Sequence, residues 1–140
     1  MADLSTSLSV LSTRSKQRMK IHLEWGKPFA LRDAAAVNMI YDIDLSRIPK
    51  RSGVYAFGRT WGGEFEALYV GQATELRGRI KSQLNNLRLM QHLRNAKNGR
   101  RVVLAGELRT KPGQNLKSCL DLAERALIRH FLSEAHDLVN

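Results

Sequence analysis

Two strand-like runs on either side of a glycine turn are the feature that most constrains the fold of this chain. Residues 53–60 and 64–71 are rich in apolar and aromatic side chains, and Trp61-Gly62-Gly63 separates them. Runs of this kind around a short glycine-containing loop predict a β-hairpin. The other elements are therefore placed relative to this hairpin.

The predicted hairpin brings two tyrosines together. A loop of three residues pairs Thr60 with Glu64, and the same register pairs Tyr55 with Tyr69. Directly opposed residues share one face of a sheet, with Cβ atoms about 5 Å apart. The residues alone leave two interpretations open: an aromatic pair that only packs, or two phenols that take part in chemistry.

Weaker patterns predict the other strands and a short N-terminal helix. Residues 20–25 alternate as a strand does, and residues 101–108 form an apolar run that is typical of a third strand of the main domain. The alanine-rich stretch 28–39 predicts a short helix. Residues 1–18 are rich in serine and threonine and lack a period, so a flexible arm is expected there.

Three further helices are predicted in the second half of the chain. Thr74 is a suitable N-cap for a helix that begins near Glu75, and a second helical stretch ends near residues 98–99. The final helix runs to about Ser133, with Asn115 or Ser118 as its N-cap. The order of elements predicts an α+β fold with a small three-stranded antiparallel sheet flanked by helices. Residues 1–47 are then an N-terminal extension, and residues 48–140 form the main domain.

The distribution of charge indicates a polyanionic partner. The 140 residues contain 23 Lys and Arg against 13 Asp and Glu, a formal net charge of +10. No acidic residue occurs between positions 76 and 106, whereas eight cations do. A surplus of this kind favours binding to nucleic acid. A second basic cluster lies in the predicted arm. The candidate DNA-backbone contacts are Arg77, Lys81, Arg88, Arg94, Lys97, Arg100 and Arg101.

The remaining composition points to an intracellular, cytoplasmic protein. Cys119 is the single cysteine, which excludes an intramolecular disulfide and fits a reducing compartment. No apolar run approaches the roughly 20 residues of a membrane helix, and no secretory signal is recognisable at the start of the chain.

Two ionisable residues stand out by their position on predicted helices. Arg79 lies one turn into the helix after the hairpin, at the edge of its apolar face, where a guanidinium is able to clamp a phosphate. Glu124 follows Leu120 by four residues and precedes Leu127 by three, inside the apolar stripe of the last helix. A carboxylate in that position needs a partner, either an arginine such as Arg79 or a divalent metal ion.

The motifs around the hairpin resemble those of the GIY-YIG nuclease superfamily. Gly53-Val54-Tyr55 and Tyr69-Val70-Gly71 are similar to its two signature tripeptides, and the flanking residues resemble the N-terminal nuclease domain of the excision-repair nuclease. The family's arginine, ten residues after the second signature tyrosine, corresponds to Arg79. Its metal-binding glutamate matches Glu124, and Asn140 is the candidate for its C-terminal asparagine. The similarity covers residues 48–140. The overall size and the N-terminal extension also resemble the small phage endonuclease II branch.

The resemblance implies a metal-dependent DNA endonuclease. In that activity Glu124 binds one Mg²⁺ or Mn²⁺, Arg79 stabilises the transition state, and Tyr55 or Tyr69 orients or deprotonates the attacking water. The sequence departs from the pattern at Gln83, where the family often has His or Tyr. Two alternatives therefore stay open: a non-catalytic nucleic-acid-binding module of the same fold, and an assembly domain that forms a homo-oligomer.

Overall fold

The computed structural model describes residues 4–11 and 18–140, with side chains from Lys20 onward. These residues form the predicted α+β fold, with eight strands and three α-helices. The strands are β1 (Leu4–Leu11), β2 (Arg18–Trp25), β3 (Phe29–Ala30), β4 (Arg32–Asp33), β5 (Tyr41–Asp42), β6 (Gly53–Trp61), β7 (Glu64–Ala73) and β8 (Arg100–Arg109). The helices are α1 (Leu76–Gln83), α2 (Leu87–Asn95) and α3 (Leu116–Ser133).

The main sheet is larger than the predicted sheet of three strands. Its order is β1-β2-β8-β6-β7, β3 also pairs with β8, and every strand pair is antiparallel. The predicted trio β7, β6 and β8 lies at one end. The predicted count of three strands was wrong because β2 and β3 both pair with the edge of β8 that faces away from β6. A three-stranded sheet would leave that edge unpaired.

The N-terminal part of the chain belongs to this sheet. The flexible arm predicted for residues 1–18 is contradicted at residues 4–11, which form β1 and pair with β2 along their whole length. The apolar residues Leu4, Leu8 and Val10 occupy alternate positions of a strand, a period that the serine content concealed. Residues 1–3 and 12–17 of the predicted arm, with its basic residues Arg14 and Lys16, lie outside the described residues.

The helix predicted over residues 28–39 is also wrong. The segment contains β3, β4 and a single 3₁₀ turn at Ala35–Val37. Phe29 and Ala30 pair with β8 of the main sheet, whereas β4 pairs with β5 in a separate two-stranded sheet. Tertiary pairing thus overrides the helical preference of its alanines.

Helices cover both faces of the sheet. α1 and α2 pack on the face that carries Tyr55, Phe57 and Val103, whereas α3 packs on the face that carries Val54 and Val70. The described residues include no helix with the length and apolar composition needed to span a membrane. The two strands that carry the tyrosines are therefore sandwiched between helices, with β7 at the end of the strand order.

The β6–β7 hairpin has a different register from the predicted one. Its turn contains two residues, Gly62 and Gly63, whose positive φ angles of 53° and 83° suit a type I′ turn. A β-bulge beyond Phe57 then shifts the pairing by one more residue. As a result Tyr55 lies opposite Gly71, and Tyr69 lies opposite Phe57 rather than opposite Tyr55.

The two shifts nevertheless leave both tyrosines on one face of the sheet. A shift of one residue would move one tyrosine to the opposite face, but two such shifts restore the face. The rings of Tyr55 and Tyr69 are diagonal neighbours, with centroids 6.2 Å apart and planes inclined by 30°. The Tyr55 ring lies over Gly71, so closely that a Cβ atom at position 71 would overlap the ring.

We expect Gly71→Ala to destabilise the protein by about 1–3 kcal/mol, because the added methyl group overpacks the space that holds the Tyr55 ring. The free energy of unfolding in urea measures the effect. Gly26→Ala is the matched control, since nothing lies within 4 Å of a Cβ built at that position. Equal stability of the two variants would contradict the packing of Tyr55 on Gly71.

Candidate active site

An open groove lies where β7 ends and α1 begins. Its volume is about 760 Å³. Arg79 of α1 and Glu124 of α3 both line it, although the two helices pack on opposite faces of the sheet. The groove therefore brings together Arg79 and Glu124, two of the catalytic residues that the sequence predicts. The full lining is Gln72, Ala73, Thr74, Glu75, Gly78, Arg79, Ser82, Lys117 and Glu124.

Gln72 orients the acidic side of this groove. Its amide nitrogen donates to Asp121 Oδ1 at 2.7 Å and lies 3.4 Å from Glu124 Oε1. Lys117 Nζ donates to the same Asp121 oxygen at 3.0 Å. The hydrogen bonds from Gln72 and from Lys117 lower the pKa of Asp121, so this carboxylate is ionised and partnered.

Glu124 has no counter-charge of this kind. Its side chain is half-buried, yet among the described residues no Arg, Lys or His lies within ion-pair distance of its carboxylate. The sequence left an arginine partner and a metal ion open, and the structure contains no ion pair between Glu124 and Arg79. The carboxylate therefore remains available to a ligand in the groove.

The donor set fits a loosely held hard cation. The described residues contain no group of three or more His, Cys, Asp or Glu that could enclose a metal. Mg²⁺ is commonly bound by one or two carboxylates, with water and substrate phosphate as its other ligands. Glu124 supplies one such carboxylate at the wall of an open groove, and this suits Mg²⁺ or Mn²⁺ better than a metal that needs a closed protein cage.

Arg79 is exposed on α1 and connects the groove to the tyrosines. Its guanidinium is close enough to the Tyr55 hydroxyl to oppose the rise in the pKa of that phenol. The first amides of the same helix are not free for an anion, because Leu76 and Arg77 donate theirs to the carbonyl oxygens of Arg51 and Pro49. Anion recognition at this point consequently depends on side chains rather than on the helix terminus.

A buried amide joins the two phenols. Gln83 Nε2 donates to Tyr55 Oη at 2.8 Å and lies 3.3 Å from Tyr69 Oη. Asn86 Nδ2 donates to the Gln83 oxygen at 3.0 Å, so both ends of the amide have partners. Tyr55 is fully buried, and burial raises its pKa above the ordinary value of 10.0. Tyr69 is only half-buried, so the two phenols differ in their access to solvent.

Asn140 lies at the side of β7 and not among the groove residues. Its side-chain oxygen accepts from the Val70 amide at 2.9 Å, and its side-chain nitrogen donates to the Val70 carbonyl at 2.5 Å. The Val139 amide donates to Leu68 at 2.8 Å, and the Ala67 amide donates to His136 Nδ1 at 2.7 Å. The C-terminal tail thus forms hydrogen bonds along the backbone of β7. Asn140 binds the backbone of Val70, which lies between Tyr69 and Gly71.

Two of the seven candidate DNA-binding cations have structural contacts. Arg77 donates to the carbonyl oxygens of Ile48 and Ser46 at 2.8 and 3.0 Å. Arg101 donates to several carbonyls around the end of α2, among them Leu93 at 2.7 Å. Their guanidinium groups are therefore committed to the fold. The other five are exposed: Lys81, Arg88, Arg94, Lys97 and Arg100.

Sequence reasoning missed the polar residues that organise the site. Gln83 was recognised only as a departure from a family pattern, although it is the hydrogen-bond donor shared by both phenols. Asp121 lies one helical turn before Glu124, a spacing that could have drawn attention to it. No sequence signal places Gln72 or Lys117 against that turn.

No family model, curated protein or solved structure in the comparisons matches this chain. The assignment of the groove therefore depends on its own geometry and on the motif resemblance.

The tail contacts predict a pH dependence of stability. Burial lowers the pKa of His136 below the ordinary value of 6.5, against the opposite influence of Glu66 and Glu134, and its neutral Nδ1 accepts the Ala67 hydrogen bond. The unfolded chain then binds the proton more readily than the folded one. The resulting stabilisation is complete above about pH 6.5 and is lost as the pH falls through the lower folded value.

His136→Asn should weaken this pH dependence, because an amide oxygen accepts the same hydrogen bond without titrating in that range. Thermal unfolding between about pH 5 and 8 measures it. Lys27→Gln, at an exposed position between β2 and β3, is the control and should keep the wild-type slope, because Lys27 is not among the groups that shift the pKa of His136. Parallel curves for the wild-type protein and His136→Asn would refute the assignment.

Proposed function

We propose that this chain is a metal-dependent endonuclease that hydrolyses phosphodiester bonds in DNA, as the GIY-YIG resemblance implies. One observation supports the proposal most strongly: Glu124, a carboxylate with no counter-charge among the described residues, and the exposed guanidinium of Arg79 line the same open groove. Hydrolysis of a phosphodiester uses both charges: the carboxylate binds a metal cation, and the guanidinium donates hydrogen bonds to the phosphate directly.

Glu124 is the residue that holds the divalent metal. When bound, Mg²⁺ or Mn²⁺ supplies a positive charge that neutralises a phosphate oxygen and stabilises the leaving oxygen. Gln72 keeps the carboxylate at the groove wall through its contact with Glu124 Oε1, and Asp121 fixes Gln72 in turn. This arrangement orients the metal ligand before substrate enters.

Arg79 stabilises the charge that develops on the phosphate during the reaction. Its planar group donates two parallel hydrogen bonds to phosphate oxygens, and it is exposed on the groove wall where a phosphate has access. Donors that are already aimed at developing charge lower the barrier without further reorganisation.

We propose separate roles for the two tyrosines on the basis of their different burial. Tyr55 is fully buried and has a raised pKa, so it stays protonated and holds Gln83 and the hairpin in position. Neither tyrosine is among the residues that line the groove. Tyr69 is half-buried and contacts the same amide, so it is the more accessible phenol and the one that we assign to orienting the attacking water. The five exposed cations bind the DNA backbone without reading its sequence.

A specific observation also favours the alternative of a non-catalytic nucleic-acid-binding module. The Gln83 amide lies within hydrogen-bond distance of both tyrosine hydroxyls, and the Asn140 side chain is hydrogen-bonded to the backbone of β7. These side chains are therefore engaged in structural contacts. Incubation of supercoiled plasmid with Mg²⁺ or with EDTA separates the two functions. Nicking with Mg²⁺ that EDTA abolishes supports the nuclease, whereas binding without nicking supports the module.

We expect Glu124→Gln to reduce Mg²⁺-dependent nicking about a hundredfold or more, because the neutral amide no longer holds the cation. Plasmid nicking and DNA affinity in EDTA are measured together, and the affinity should be unchanged. Glu134→Gln, beyond the end of the same helix and outside the groove, is the control and should nick as the wild-type protein does. Full nicking by Glu124→Gln would refute the metal-ligand role.

Arg79→Ala and Arg77→Ala separate catalysis from folding. Arg79→Ala should lower the nicking rate about 10²–10³-fold with little change in melting temperature, since its guanidinium has an electrostatic role in the groove. Arg77→Ala should destabilise the fold by about 1–3 kcal/mol, because it removes hydrogen bonds to two backbone carbonyls. A large loss of stability in Arg79→Ala would instead indicate a structural arginine.

A further inference from the structure

The tip of the β6–β7 hairpin presents an exposed indole ring. Trp61 retains 39% of its accessible surface, and the guanidinium carbon of Arg59 lies 3.9 Å from the centroid of its ring. The two-glycine turn follows directly, so the ring projects beside a loop that carries no side chains. Exposed tryptophans are uncommon, and the planar guanidinium of Arg59 already stacks on one face of this ring.

The cation under the ring is fixed. Arg59 Nε donates to Glu66 Oε1 at 2.7 Å, and Arg59 Nη1 donates to the carbonyl of Asn98 at 2.7 Å. The Arg59 side chain is 12% exposed, so it is a buried support rather than a mobile surface group. Because the support is rigid, the indole is ordered before any partner arrives, which reduces the entropic cost of binding.

Further cations lie beside the tip. Thr60, the residue before Trp61, pairs with the exposed Arg100 of β8, so Arg100 lies at the same end of the sheet but on the face opposite to Trp61. Lys97 is exposed in the loop that leads into β8 and lines a pocket together with Arg59, the residue under the indole. The Gly99 backbone packs against Thr60 and places this loop next to the hairpin. Glu64 lies opposite Trp61 and repels phosphates on that side. Charge therefore favours phosphates near Lys97, with Arg100 at the same end of the sheet on its other face, and an uncharged base near the indole.

We propose that Trp61 stacks on an unpaired nucleobase of the DNA substrate, while Arg100 and Lys97 contact the phosphates next to it. This inference rests on the proposed function and specifies its substrate: DNA with unpaired nucleotides, such as gapped, bulged or branched duplexes. A paired base already stacks on its neighbours, whereas an unpaired base has a free π-face for an aromatic side chain.

The proposed stacking site is separate from the candidate active site. Trp61 follows Tyr55 by six positions along β6, which corresponds to about 20 Å of extended strand. A variant at Trp61 therefore leaves the groove residues in place, and substrate selection can be tested without changing Glu124, Arg79 or the tyrosines.

Fluorescence anisotropy in EDTA tests the inference, because EDTA prevents cleavage. The probes are a labelled, fully paired duplex and the same duplex with a gap of several nucleotides. We expect Trp61→Ala to bind the gapped DNA about tenfold more weakly and the paired DNA as the wild-type protein does. Trp61→Phe should retain most of the affinity for gapped DNA. Val37→Ala, at another exposed apolar position, is the control and should change neither affinity.

Each other result has a definite meaning. Unchanged affinity of Trp61→Ala for gapped DNA, or equal losses on both probes, overturns the stacking site while nicking by the wild-type protein still supports the nuclease. The first of these results would assign Trp61 to some other contact, such as a protein partner. If the wild-type protein binds neither probe and does not nick plasmid, both the stacking site and the proposed function fail.

Discussion

The Tyr55 ring occupies the space that a side chain at position 71 would need, and this contact determines the geometry around it. The β-bulge beyond Phe57 sets Gly71 opposite Tyr55, and the absent side chain lets the ring lie flat on β7. The phenol then reaches Gln83, which also reaches Tyr69. A buried amide that lost these partners would carry an unsatisfied donor at a cost of about 1–3 kcal/mol. The hairpin register, α1 and the two phenols therefore stabilise one another.

The parts of the fold that follow from local pattern were predictable. The hairpin, the β8 strand and the helix from residue 116 to about Ser133 all occur, and Asn115 caps that last helix as one of the two suggested caps. The details that depend on pairing between distant segments were not. A β-bulge has no reliable local signal, and the three-residue loop differed from the real turn by one residue. Both tyrosines still share a face because the two one-residue shifts together change the register by an even number of residues.

Charge alone could not distinguish binding cations from structural ones. Arg77 and Arg101 lie in the same acid-free stretch as the exposed cations, but both donate to several backbone carbonyls. Arg101, in β8, donates to carbonyl oxygens at the end of α2. This contact depends on the loop between α2 and β8, which brings the start of the strand next to the end of the helix. Of the five predicted catalytic residues, Arg79 and Glu124 line one groove, whereas Tyr55, Tyr69 and Asn140 are not among its lining residues. The contact that supports Glu124 comes from Gln72 of β7, which Asp121 of α3 holds from a position 49 residues away in the sequence.

The unpaired state of Glu124 is a further argument for a ligand at this site. Asp121, one turn away, shows that the same surface is able to satisfy a carboxylate, since Lys117 and Gln72 both donate to it. Glu124 is half-buried, and within the part of the chain that the structure describes its carboxylate receives only the longer contact from Gln72. Partial burial of a charge without a cation is unfavourable, and a stability optimum would place a lysine or a neutral residue there. Natural proteins accept such an unfavourable arrangement at binding sites, where the missing charge arrives with the ligand. In the proposed function, a divalent cation accompanied by a phosphate supplies that charge, beside the exposed guanidinium of Arg79.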